Sequence, residues 1–194
     1  MLTLTVLVMF KSKRYAFFFN QKFRFNNKFS LSHTLSLEPE ADNVGFADIV
    51  EATNDVIFGR RDRNTVENIL SAKYNFNDKM GINARVRHYW SKVDYKEFFT
   101  LLENGRLQSN TSYNNNVNQN VNFFNVDMTY TWQFARGSFI NIVWKNAINT
   151  FDDFIEQGYV KNFSQTVQAD QNNNFSLKVI YFLDYLKLKK KKKE

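Results

Sequence analysis

Apolar residues recur at every second position along most of this chain. That period of two restricts it to β-strands with one greasy and one polar face, because successive side chains of a strand point to opposite sides. Between Asn64 and Trp90 the apolar row reads Val66, Leu70, Ala72, Tyr74 and Phe76 going in, and Met80, Ile82, Ala84, Val86 and Trp90 coming out. Asn77-Asp78-Lys79 forms the turn between them. The other row is Glu67, Ser71, Lys73 and Asn75, then Asn83, Arg85 and Arg87, which is too charged for a dry core.

The same unit recurs. Phe17, Phe19, Phe23 and Phe25 alternate with polar residues, turn at Asn26-Asn27-Lys28, and return through Phe29, Leu31, Leu35 and Leu37. A third copy runs through Phe124, Val126, Met128, Tyr130, Trp132 and Phe134, then Ala135 to Phe139, then Ile140, Ile142 and Trp144. A last strand, Phe175 to Tyr185, sets Leu177, Val179, Tyr181 and Leu183 against Ser176, Lys178 and Asp184. Leu2 to Phe10 is too short for a spanning helix and reads as a strand or a strand remnant. It is a poor signal peptide, so an export signal is expected upstream.

Short connections fall near residues 26–28, 77–79 and 135–139, and long polar ones near 38–63, 92–120 and 147–174. This alternation, with strands of about ten residues, predicts an all-β, antiparallel up-and-down transmembrane β-barrel. It would be partial, with seven or eight strands, short periplasmic turns and long extracellular loops. The expected aromatic girdle beside the short turns is Phe23, Phe25, Phe29, Tyr74, Phe76, Trp132, Phe134 and Phe139. The expected lumen-facing residues are Glu67, Lys73, Arg85, Arg87, Asp127, Lys145 and Lys178, either paired with one another or forming a polar constriction that selects solutes. Three-residue turns place Gln21 opposite His33 and Asn68 opposite His88 on the apolar face, where hydrogen bonds within each pair would lower the cost.

A mean hydropathy of −0.49 excludes a helical membrane bundle but not a barrel, half of whose residues face water. No cysteine means no disulfide framework, thiolate metal site or cysteine nucleophile. The net charge of +7 is concentrated at one end: six lysines and one glutamate between Lys187 and Glu194 carry +5, leaving +2 for the body. That tail reads as a solvated end or as a contact for lipid phosphate. Nucleic acid is not an expected partner, because no basic groove interleaved with stacking aromatics accompanies the tail. The two histidines lack metal-ligand spacing, and no zincin, phosphate-loop or nucleophile-elbow motif occurs. Neither a metal, a cofactor nor a catalytic residue is therefore assigned. The acidic stretch from Glu38 to Asp55 lacks an EF-hand pattern and reads as solvated loop.

Several segments carry a family resemblance: Phe58-Gly-Arg-Arg-Asp-Arg-Asn-Thr-Val-Glu-Asn68, Lys79-Met-Gly-Ile82, Arg87-His-Tyr-Trp-Ser91, Asn122-Phe-Phe-Asn-Val126, Tyr130-Thr-Trp-Gln-Phe134 and Gly137 to Lys145. Over roughly residues 15–190 the chain resembles the C-terminal barrel of large outer-membrane proteins of Bacteroidota. In those, a family-nine carbohydrate-binding-like sandwich precedes a conserved barrel domain of unknown function. The resemblance implies a bacterial outer-membrane location, lipid and the barrel-insertion machinery as partners, and a link to glycans through an upstream domain. It implies no catalytic residues; some members are labelled hydrolases, which nothing in these residues supports.

The expected organisation is a strand remnant or truncated start at 1–14, a barrel segment at 15–186 and a basic tail at 187–194. The expected role is membrane anchor or pore. The alternative is a soluble β-barrel that wraps its aromatic row around an apolar ligand.

Overall fold

A computed structural model describes residues 2–9, 13–155 and 158–183. Nine antiparallel strands form one sheet: β1 (Leu2–Met9), β2 (Arg14–Arg24), β3 (Phe29–Val50), β4 (Asp55–Asn77), β5 (Met80–Leu101), β6 (Leu107–Ser109), β7 (Gln119–Ala135), β8 (Ser138–Asp152) and β9 (Asn172–Ile180). One helix, α1 (Tyr159–Gln168), lies between β8 and β9. The strands follow one another in chain order across the sheet, and the three-residue β6 pairs with the end of β5. The sheet is up-and-down, as the alternation predicts, and it is not closed: β1 and β9 are its two edges.

The tight turns stand where the sequence puts them. Asn26 accepts the backbone N–H groups of Lys28 and Phe29, and Asn77 accepts that of Lys79. These are side-chain turns of the kind asparagine favours. Between β7 and β8 the turn shrinks to Arg136 and Gly137, and Gly137 takes a positive φ of 73° that a side chain would resist. Leu2 to Met9 is a full strand paired with β2, from Leu2 opposite Gln21 to Met9 opposite Arg14.

The long connections are where the sequence reading needs correction. Residues 38–63 are mostly strand, with β3 and β4 meeting at a turn over residues 51–54. Likewise 92–101 extends β5, and 147–152 extends β8. The strands simply continue where charged residues and register shifts break the strict alternation, so the period-two signal fades while the backbone ladder does not. Register shifts at Glu40/Asn43 and Arg60/Arg61 bend these extensions. The Tyr95 ring covers Gly59 so closely that a Cβ there would lie 2.3 Å from it. The basic tail 187–194, and the Asp184–Tyr185 end of the last predicted strand, lie outside the described residues.

Little of the chain is buried as a core. Among the described residues only Ala16, Ile57, Trp90, Val93 and Ile148 are buried hydrophobics, and the Trp90 ring lies against Tyr159 of α1.

Candidate functional site: the polar trough and its apolar outer face

The registers align the polar rows of the strands into ladders. One reads Lys22, Ser32, Ser71, Arg85, Asp127, Lys145, Asn174 across seven strands. The next, nearer the short turns, reads Arg24, Ser30, Lys73, Asn83, Thr129, Val143, Ser176. Polar residues of five neighbouring strands line one cleft of about 400 Å³, including Lys22, Ser32, Lys73, Arg85 and Asp127. A second cleft of about 470 Å³, reaching the short turns, shares Lys73 and Asn83 with it. The polar face is therefore a continuous trough.

All seven residues expected to face a lumen stand on this face. Their pairing is uneven. Arg87 lies 3.8 Å from Glu67 and Lys145 lies 3.8 Å from Asp127. Lys73, Arg85 and Lys178 have neither hydrogen bond nor ion pair among the described residues. Higher up, away from the short turns, Arg14 pairs with Glu38 at 2.7 Å and Arg63 with Glu40 at 2.7 Å. Glu40 is buried there and also accepts from Asn43.

The opposite face carries the aromatics, and they do not converge on a dry interior. Phe23 is 47% exposed, Tyr74 39% and Trp132 39%. They form a belt beside the short turns. Ring contacts link Phe23, Phe25, Phe29, Tyr74, Phe76 and Tyr130 in sequence, with centroids 5.0–6.3 Å apart. Trp132, Phe134 and Tyr181 continue it toward β9. Phe139 does not belong to this belt. The two-residue turn sets it opposite Gln133, and it lines the polar trough instead.

Above the belt this face stays apolar through Tyr74, Ala72 and Leu70 on β4 and through Ile82, Ala84 and Val86 on β5. From Phe76 up to Val66 is ten residues, roughly 34 Å along a strand and about 26 Å in height at a 40° tilt, with Asn68 the one polar residue of that row. Beyond Val66 the same row of β4 turns to Asn64, Asp62 and Arg60. Asp62 meets Lys96 at 2.5 Å, and Arg60 pairs with Asp42 and Glu97.

At the upper edge of the apolar band sits α1, which the sequence reading takes for part of a loop. Tyr159, Asn162, Phe163 and Thr166 recur at helical spacing and face the sheet. Asn162 exchanges hydrogen bonds with Asn122 (2.6 and 3.3 Å) and accepts from Asn120, which in turn accepts from the Trp90 indole. Gln21 and His33 are opposite one another, as are Asn68 and His88, but the hydrogen bonds run elsewhere. His33 bonds Asn68 at 2.6 Å, Asn68 donates to the Tyr159 hydroxyl, and that hydroxyl meets His88 at 3.0 Å. The helix thus links Asn68 on β4 to His88 Nδ1 on β5 through one hydroxyl. Beneath it lies a cleft of about 210 Å³ lined by Leu70, Val86, His88, Phe124, Tyr159 and Phe163. Among the described residues no group of histidine and carboxylates is arranged to hold a metal ion.

A family model described as a domain of unknown function, DUF5916, matches residues 2–192. The chain belongs to the DUF5916 family. No curated protein and no solved structure matches it. The DUF5916 match covers β1 as well as the rest of the sheet, and so treats the strand at Leu2–Met9 as part of the same unit.

Proposed function

We propose that this DUF5916 chain is the C-terminal portion of a bacterial outer-membrane β-barrel, with the apolar face against lipid and the polar trough as part of the lumen. One observation carries the reading: a single sheet exposes an apolar band, edged below by an aromatic belt and above by charge, and crossed near its top by the hydrogen-bonded His33, Asn68 and His88. An apolar patch of this extent is not left to water in a folded protein. A soluble barrel would turn these rings inward and send Lys73 and Arg85 to bulk solvent. In this open sheet the rings lie exposed on one side, and Lys73 and Arg85, also exposed, border a cleft on the other.

An open edge exposes unsatisfied backbone groups, which lipid does not tolerate, so β1 and β9 require further strands to close the cylinder. In this reading the barrel anchors or forms a pore for an exported protein of Bacteroidota type, is placed by the barrel-insertion machinery, and is joined upstream to a family-nine carbohydrate-binding-like module. The short turns then face the periplasm and the extended strand ends face outside.

The test is partition of the full chain between detergent and aqueous buffer. Recovery only in micelles, with β-sheet circular dichroism, is the expected outcome. A monodisperse monomer in buffer without detergent rejects the reading.

A further inference from the structure

The polar face divides charge unequally along its height. In the upper rows three cations meet three carboxylates: Arg87 with Glu67, Arg14 with Glu38, and Arg63 with Glu40. In the three rows nearest the short turns, Lys22, Arg24, Lys73, Arg85, Lys145 and Lys178 stand with one carboxylate, Asp127, and the cleft at the turns adds Lys28, Lys79 and Asp78. From this juxtaposition we infer that the lower half of the trough is a binding site for small oxyanions, carboxylate or phosphate, with Lys73 and Arg85 as its principal ligands.

Lys73 stands opposite Asn83 and Arg85 opposite Ser71, so the two cations are diagonal neighbours on β4 and β5. Diagonal partners on one face lie within reach of long side chains. Both border the same cleft, and neither has a partner among the described residues. Like charges held this close repel, and a guest anion relieves that repulsion while accepting charge-assisted hydrogen bonds from both. The concave wall strengthens the effect, because a cleft lined by one sign of charge focuses its field on the guest.

The rest of the lining fits a hydrated, polar ligand. Ser30, Ser32, Ser71, Asn83 and Thr129 supply hydroxyls and an amide around the two cations. The volume of about 400 Å³, continuous with the cleft at the turns, accommodates a multiply oxygenated molecule rather than a bare halide. Asp127 sets the upper limit on affinity: it lies beside Arg85 in the register and repels an incoming anion.

This inference uses the proposed lumen only to say how a solute reaches the trough; the ligand set stands on the strand registers alone. The experiment is therefore a binding titration of the full chain, in micelles or in buffer as the chain requires. Citrate and inorganic phosphate are the two probes, glycerol the uncharged control, and the ionic strength is low. Saturable binding of at least one anion and none of glycerol is expected, and the stronger probe identifies carboxylate or phosphate as the preferred group. The double variant Lys73→Gln/Arg85→Gln should weaken binding at least roughly tenfold, since each lost contact is charge-assisted. Asp127→Asn should tighten it. The second substitution guards against a trivial loss through misfolding, because a damaged protein does not gain affinity. Equal affinity in all three proteins, or no saturable binding by the native chain, overturns the site. A chain that is soluble without detergent yet binds anions in this pattern refutes the membrane reading and leaves the site standing; a detergent-dependent chain that binds neither anion does the reverse.

Discussion

Single residues here tell which parts of the polar surface are structural. Tyr113 donates its hydroxyl to Asp48 at 2.6 Å, tying the connection after β6 to the far end of β3. Burial, and then the bond to the carboxylate, push the Tyr113 phenol up to about 12. The same bond, with the Ile49 backbone N–H, holds the Asp48 carboxyl below its usual range. The raised phenol contributes stability that is complete below pH ~10 and disappears as pH rises through about 12. The lowered carboxyl contributes above the ordinary carboxylate range and loses its contribution as pH falls through its depressed value. Ultraviolet titration should therefore show a late phase near pH 12, and Tyr113→Phe should diminish it by one phenol. Asp48→Asn should move it back toward pH ~10. Ionisation of every tyrosine by that pH would contradict the assignment. Neither residue is conspicuous in the sequence, because their 65-residue separation leaves no periodic trace. Phe139 teaches the same lesson in reverse. Its aromatic character suits a girdle, and only the length of the turn decides which face it occupies.

At the scale of elements, the alternation made the strands legible wherever one face is greasy. It failed at two kinds of place. Strand extensions such as Glu38 to Val50 open with an acidic run and lose their alternation at two register shifts, so composition says loop while the backbone ladder continues. Helix α1 was hidden because half of its sheet-facing stripe is polar, Asn162 and Thr166 between Tyr159 and Phe163. The short tandem of asparagines at 120 and 122 was the available signal: on the apolar row they demand partners from outside the sheet. Asn162 meets that demand while only 1% exposed. Asn162→Ala should leave the Asn122 carbonyl oxygen buried without its partner, at a cost of about 1–3 kcal/mol to the docked helix. Amide hydrogen exchange across residues 159–168 reads this directly, with protection lost in the variant and retained on β7. Undiminished protection would mean that the aromatic contacts of Tyr159 and Phe163 alone hold the helix.

For the whole molecule the decisive quantity is the medium on the outside of the sheet. Leu70 stands on the apolar row of β4, above the aromatic belt, 43% exposed and opposite Val86. Asn83, exposed on β5, stands on the polar row. In water an arginine at either position is a surface substitution, and each should change stability by less than about 0.5 kcal/mol. In a bilayer the two diverge, since a lipid-facing arginine near the midplane costs about 2–4 kcal/mol while lumen substitutions are tolerated. Folding into vesicles from urea should accordingly fail or require far less denaturant to reverse for Leu70→Arg, and proceed normally for Asn83→Arg. The outcome does not depend on closure of the barrel by additional strands, because both residues lie several strands from the β1 edge and are compared within one protein. Equal behaviour of the two variants would place water on both faces of the sheet. The exposed belt from Phe23 to Tyr181 would then have to be covered by another protein rather than by lipid.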